Sequence, residues 1–152
     1  VGRELGMDAA PLLVSARRKL YEARRRRPAP MRDDKVIASW NGLAIAAFAD
    51  AGVMLGRPDY IDAATATAAF ALDALVVDGR LRRVFADGRA DRLGQLDDHA
   101  DLCHGLLCLY AATFQPRWLA AARSLAERML ELFHDPQAGG FYYAPADGEE
   151  LI

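Results

Sequence analysis

An all-α toroid, a ring built from helical hairpins, is the fold the sequence predicts, and three observations predict it. A segment apolar nearly all round is followed by an amphipathic one, a short turn-rich β segment comes next, and the same order then runs a second time. Two-helix units of about sixty residues suit a ring with buried inner and amphipathic outer helices. The composition, 53% hydrophobic and 26% charged, is that of a folded rather than a disordered chain.

Residues 1–32 read as a leading helix and linker, and 33–152 as two helical hairpins of an incomplete toroid. Asp8 caps the first helix, which runs through Pro11 to about Arg26 with Leu12, Leu13, Ala16, Leu20 and Ala23 on one stripe. Pro28 and Pro30 end it. Asp33 and Asp34 open the second helix, residues 35–55, which Gly56 stops. Val36, Trp40, Leu43, Ala44, Ala47, Ala51 and Leu55 line one side, while Ala46, Phe48 and Val53 make the other side apolar. Such a helix is expected to be buried on all sides.

A third, alanine-rich helix starts at Asp59 and is closed by Asp78-Gly79. Asp87-Gly88, flanked by residues 81–85 and 89–93, is a hairpin signal. Helix four covers residues 97–114. Helix five runs from Pro116 to about His134, with Leu119, Ala122, Leu125, Ala126, Met129 and Phe133 inward and an Arg123–Glu127 pair outside. A turn-rich loop at 135–140 precedes a short strand, Phe141-Tyr142-Tyr143. A shift of 64 pairs Asp33-Asp34 with Asp97-Asp98 in the inner helices, and a shift of 58 pairs Tyr60 with Trp118 in the outer ones. The difference is assigned to a longer inter-helix turn in the first unit. Position 1 is not Met and no terminating element follows Leu151-Ile152, so a segment of a larger protein is expected.

Net charge is −2, but residues 1–35 hold ten Lys/Arg against five Asp/Glu and the rest nine against sixteen. The Arg24–Arg27 run reads as a solvated helix end, without a nucleic-acid motif beside it. No apolar run reaches the roughly 18–20 residues of a membrane span, and no signal peptide is evident. Cys103 and Cys108 lie about 140° apart on a helix, neither a redox pair nor a zinc half-site, which suits buried thiols in a reducing cytoplasm.

Paired carboxylates at the start of each buried helix carry the candidate chemistry. Parallel inner helices would gather Asp34 and Asp98 at one rim, where one raised and one ionised carboxylate can serve sugar chemistry. The competing reading is helix capping. Asp97, Asp101 and His104 share a face of helix four, and a histidine beside a carboxylate suits general acid–base work. His99 is expected to face elsewhere. Trp40 and Asn41 suit a sugar ring, Lys35 an acidic ligand, and either Tyr142 or its neighbour Tyr143 can reach a cavity, Tyr142 being the choice. No metal or cofactor site is expected: phosphate-loop and nucleophile-elbow motifs are missing.

Three strings carry a family resemblance: Arg32-Asp33-Asp34-Lys35-Val36-Ile37 continuing through Ser39-Trp40-Asn41-Gly42-Leu43; Leu96-Asp97-Asp98-His99-Ala100 leading to Leu109-Tyr110-Ala111-Ala112-Thr113; and Asp135 with Gly139-Gly140-Phe141-Tyr142. They resemble the thioredoxin-domain-containing family named after a spermatogenesis-associated member. His99 departs from that family's tyrosine. The resemblance implies part of an α/α toroid like those of sugar epimerases and six-hairpin glycosidases, with a thioredoxin-like domain preceding it in the full-length protein. It leads to the expectation of a carbohydrate-processing toroid, with Asp34, Asp98 and His104 catalytic and Trp40, Asn41, Lys35, Asp101 and Tyr142 binding. The alternatives are a non-catalytic binding or scaffold toroid attached to the redox domain, and a helical interaction domain without a pocket.

Overall fold

The structure is a computed structural model that describes residues 9–148. It divides into two units, Val1–Asp33 and Asp34–Ile152. In the first, α1 spans Ala9–Arg25, ends on Arg24 and Arg25, and buries none of its residues. The proposed Asp8 cap lies outside the described residues.

The second unit runs β1 (Val36–Ile37), α2 (Ala38–Leu55), α3 (Pro58–Ala74), β2 (Val76–Val77), β3 (Arg80–Ala86), β4 (Arg89–Leu93), α4 (Leu96–Thr113) and α5 (Pro116–Phe133). β3 pairs antiparallel with β1, β2 and β4. Asp87-Gly88 turns β3 into β4 with both residues at positive φ, 52° and 77°, as a type I′ hairpin needs. Asp78-Gly79, expected to close a helix, makes a second such turn, between β2 and β3, with φ of 52° and 71°.

β1 is a second departure. Val36 and Ile37 pair with Phe85 and Val84, so α2 begins at Ala38, not at Lys35. Two adjacent β-branched residues extend more readily than they coil, and β3 supplies the partner. Asp33 and Asp34 therefore do not stand at a helix start.

A single shift of 58 relates the two hairpins in both layers: Ala38 to Leu96, and Pro58 to Pro116. Each inter-helix turn is two residues, 56–57 and 114–115, and each begins with a left-handed residue, Gly56 (φ 62°) and Phe114 (φ 53°). The shift of 64 for the inner helices, and the longer first turn, are thus corrected. The proline at the first position of both outer helices marks the true register, whereas the two Asp-Asp pairs stand in unlike places, one before a strand and one inside a helix.

Small residues set how the inner helices pack. α2 buries Ala38, Ser39, Gly42, Ile45, Ala46, Ala49 and Gly52. It runs parallel to α4, since Ser39 meets Asp98, Gly42 meets Asp101 and Ile45 meets Gly105. A Cβ on Gly42 would overlap the Asp101 backbone, and one on Gly105 the Gly42 carbonyl. Apart from Ile45, which is 0% exposed, the large apolar residues of α2 stay exposed, among them Trp40 69%, Leu43 52%, Val53 61% and Met54 85%. Burial on all sides is therefore corrected to burial of the glycine–alanine side. α2 is also long and apolar enough, on length and composition alone, to cross a membrane, although its small-residue side packs as a core helix.

The outer helices close the core. Phe48 of α2 meets Tyr60 of α3 edge-on at 5.4 Å. α5 buries Trp118, Ala122, Leu125, Leu132 and Phe133, while Leu119 stays 41% exposed. Arg123 and Glu127 pair outside at 2.8 Å, as their spacing indicates. Gly42→Ala should lower unfolding free energy by about 3 kcal/mol, because the overlap is with backbone that no rotamer change relieves. Urea denaturation checks this, with exposed Ala47→Gly, expected near 1 kcal/mol, as the propensity control.

Candidate functional site

Asp98 is the best-connected of the expected site residues. It occupies the third position of α4 and is 0% exposed. One carboxylate oxygen accepts the Gln95 backbone N–H at 2.9 Å and the Arg83 guanidinium at 2.8 Å; the other accepts the Ser39 backbone N–H at 3.1 Å. Asp98 thereby caps its own helix and, from across the interface, α2. Ile37, at the N-cap, makes no side-chain cap hydrogen bond of its own.

Arg83 escaped the sequence reading, although a signal for it exists. Leu81, Arg83 and Phe85 alternate along β3 and share one face. Leu81 is buried, so Arg83 points the same way and requires a carboxylate. It contacts Asp97 at 3.0 Å as well as Asp98, and these contacts, Asp97 first, raise its pKa further. The Tyr143 hydroxyl donates to Asp97 at 3.2 Å. Tyr142, the chosen aromatic, instead donates to Asp135 at 2.8 Å in its own loop, and the expected strand shrinks to one bridge between His134 and Phe141. Tyr143, not Tyr142, is thus the tyrosine that reaches the acidic cluster.

The other expected residues separate. Asp34 and Lys35 precede β1 in the chain and are not part of α2. Asn41 turns its amide back onto the Ile37 carbonyl at 2.8 Å, serving the helix's first turn. Trp40 is exposed on the stripe it shares with Leu43, Ala47 and Asp50. On α4, Asp101 is half-buried, and burial together with Asp97 and Asp98 raises its carboxyl pKa, with His104 opposing. His104 is exposed, its Nε2 3.8 Å from the Cys108 sulfur. Burial, then the Asp50 carboxylate, pushes the Cys108 thiol up. Among the described residues no cluster of three metal-ligating side chains is found.

His99 does face elsewhere: it is 2% exposed, its Nδ1 donates to the Gln95 carbonyl at 2.9 Å, and its ring meets Phe133 edge-on. Burial lowers its pKa below the ordinary 6.5, outweighing the Gln95 and Asp98 contributions.

No family model matches the chain. Human spermatogenesis-associated protein 20 is 36% identical over 146 residues, 90% of this chain and 19% of its own length. The mouse protein of that name is 35% identical over 90% of this chain and 18% of its own. The chain thus spans about a fifth of the length of these curated relatives. Among solved structures, a cellobiose 2-epimerase from Spirochaeta thermophila DSM 6192 superposes with a TM-score of 0.68 at 20% identity, covering 72% of this chain and 29% of that one. A sugar epimerase from a ruminal bacterium gives 0.65 at 18%, covering 76% and 31%.

Two outcomes test this geometry. Asp98→Ala strands the Arg83 charge and two backbone donors, so chemical denaturation should show a loss of about 3–5 kcal/mol. For His99, the unfolded chain takes up a proton near pH 6.5 and the folded chain only at lower pH. Stability should therefore fall as pH drops below about 6.5 and level off once the folded imidazole is protonated. His99→Gln should flatten that limb of a melting-temperature profile. The sequence relationship and the shared fold together lead to one conclusion: the chain belongs to the spermatogenesis-associated protein 20 family, and its helical hairpins have the α/α-toroid fold.

Proposed function

We propose that the exposed side of α2 and α4 is a carbohydrate-binding wall, with Trp40 the stacking platform and Asp101 and His104 the polar groups that hold, and in a complete site move protons on, the sugar. The carrying observation is Trp40, 69% exposed on a helix whose opposite side is core. An indole in water on an inner helix offers an apolar face to a sugar ring, and solvent exposure costs it the burial a core Trp would gain. The structural neighbours' names, a cellobiose 2-epimerase and a sugar epimerase, support the substrate class.

Acid–base work suits Asp101 and His104 better than Asp98. A proton-transfer group must come within hydrogen-bond reach of substrate. Asp98 is enclosed, and three donors occupy its oxygens. Asp101 is only half-buried, and burial with the Asp97 and Asp98 carboxylates raises its carboxyl pKa. Asp34 retains a place in the proposal only as a residue of the chain before β1.

A second reading has its own support. Because Asp98 is committed to the fold, a paired-carboxylate site needs a partner other than the two aspartates first expected, and a non-catalytic toroid attached to a thioredoxin-like domain needs none. The two tryptophans separate these readings, since Trp40 is exposed and Trp118 is 1% exposed. Iodide should quench Trp40 alone. If the face binds sugar, millimolar disaccharide should protect Trp40 from quenching, and Trp40→Ala should remove the protectable signal. Unchanged quenching across a panel of mono- and disaccharides would overturn sugar binding in favour of the scaffold.

A further inference from the structure

In the first unit, α1 keeps a segregated surface in water. At about 100° per residue, Leu12, Leu13, Ala16, Leu20 and Ala23 fall within an arc of about 100°. The leucines of that stripe are exposed: Leu12 60%, Leu13 57% and Leu20 71%. Cations border it on both edges, Lys19 on one and Arg17 and Arg24 on the other, with Arg18 and Arg25 opposite. Residues 9–27 hold seven Lys/Arg against one carboxylate, Glu22. Where α1 ends, Tyr21, Arg24, Arg25, Arg27, Pro28 and Pro30 line an open groove of about 410 Å³, and the Arg25 guanidinium lies over the Tyr21 ring at 5.8 Å. Among the described residues no carboxylate pairs with Arg24, Arg25 or Arg27.

We propose that α1 docks in the plane of an anionic phospholipid bilayer, with its leucine stripe at the headgroup–acyl boundary and the three groove arginines on lipid phosphates. Charge complementarity points to the surface. Each cation near an anionic leaflet adds to binding, and a guanidinium fork matches phosphate oxygens. The stripe narrows the occupant. A nucleic acid offers phosphates but no apolar phase for Leu12, Leu13 and Leu20, whereas a bilayer offers both within one layer. Lys19, Arg17 and Arg24 have apolar stems that can follow the leucines inward while their charged heads stay with the phosphates. Five cations in the seventeen residues of α1 rule out a spanning placement. The docking face shares no residue with the α2–α4 sugar wall, so either reading can fail alone.

Co-sedimentation of the chain with phosphatidylcholine vesicles, with and without about 30% phosphatidylserine, in about 0.1 M salt tests the assignment. The anionic vesicles should bind at least about tenfold more tightly than the neutral ones. Leu12→Ala, Leu13→Ala and Leu20→Ala together keep the charge and the helix propensity. That triple variant should lose at least about tenfold in vesicle affinity and nothing in affinity for duplex DNA. Arg24→Gln, Arg25→Gln and Arg27→Gln together should lose about a hundredfold on anionic vesicles, roughly fivefold per cation. Neither set of changes lies in the helical-hairpin unit, whose unshifted melting temperature shows that the variants are folded. No preference for anionic over neutral vesicles, or undiminished vesicle binding by the leucine variant, would overturn the membrane assignment. Tighter binding to duplex DNA than to anionic vesicles at equal phosphate would also overturn it, in favour of a nucleic-acid face.

Discussion

The carboxylate of Asp98 holds together the start of both inner helices and the central strand. Helix N-termini leave backbone donors without partners, and Ile37, the N-cap of α2, makes no side-chain hydrogen bond to them. Asp98 reaches from α4 to the Ser39 N–H, keeps the Gln95 N–H, and takes Arg83 from β3. A buried ion is costly unless its hydrogen-bonding capacity is filled, and here three donors fill it. The register of α2 against α4 follows, because Gly42 and Gly105 meet only when Ser39 is opposite Asp98.

That arrangement divides the acidic residues of α4 by role. Asp98 is drawn inward to tie elements together. Asp97 bridges Arg83 and Tyr143 at the margin. Asp101, one turn on from Asp97, lies half-buried beside His104. Spacing alone made these carboxylates look alike. Which of them retains a free oxygen depends on how closely the neighbouring helix approaches, and two glycines permit that approach.

The same approach turns α2 inside out relative to its hydropathy. Close approach to α4 favours small residues on the buried side: Ala38, Ser39, Gly42, Ala46, Ala49 and Gly52 join Ile45 in the core, while Trp40, Leu43 and Met54 face outward. Apolar periodicity was uninformative there because nearly every position is apolar. In α5, where polar and apolar residues alternate cleanly, the expected inward stripe holds, save for Leu119. Trp118, outside that expected stripe, is buried as well.

By itself the sequence determined the helical hairpins, the Asp87-Gly88 turn, the outer helix starts near Asp59 and Pro116, and the toroid class, since these rest on local propensity, short-range periodicity and the repeated order of elements. It also marked Asp98, Asp101, His104 and Trp40 as residues of interest. Only tertiary structure decided that residues 36 and 37 are a strand, because β3 provides their partner, and that Tyr143 rather than Tyr142 meets the acidic cluster. Tertiary contact also decided that Asp98 is spent on the fold. Its three donors come from residues 3, 15 and 59 positions away, and no local rule carries information across the longer of those distances.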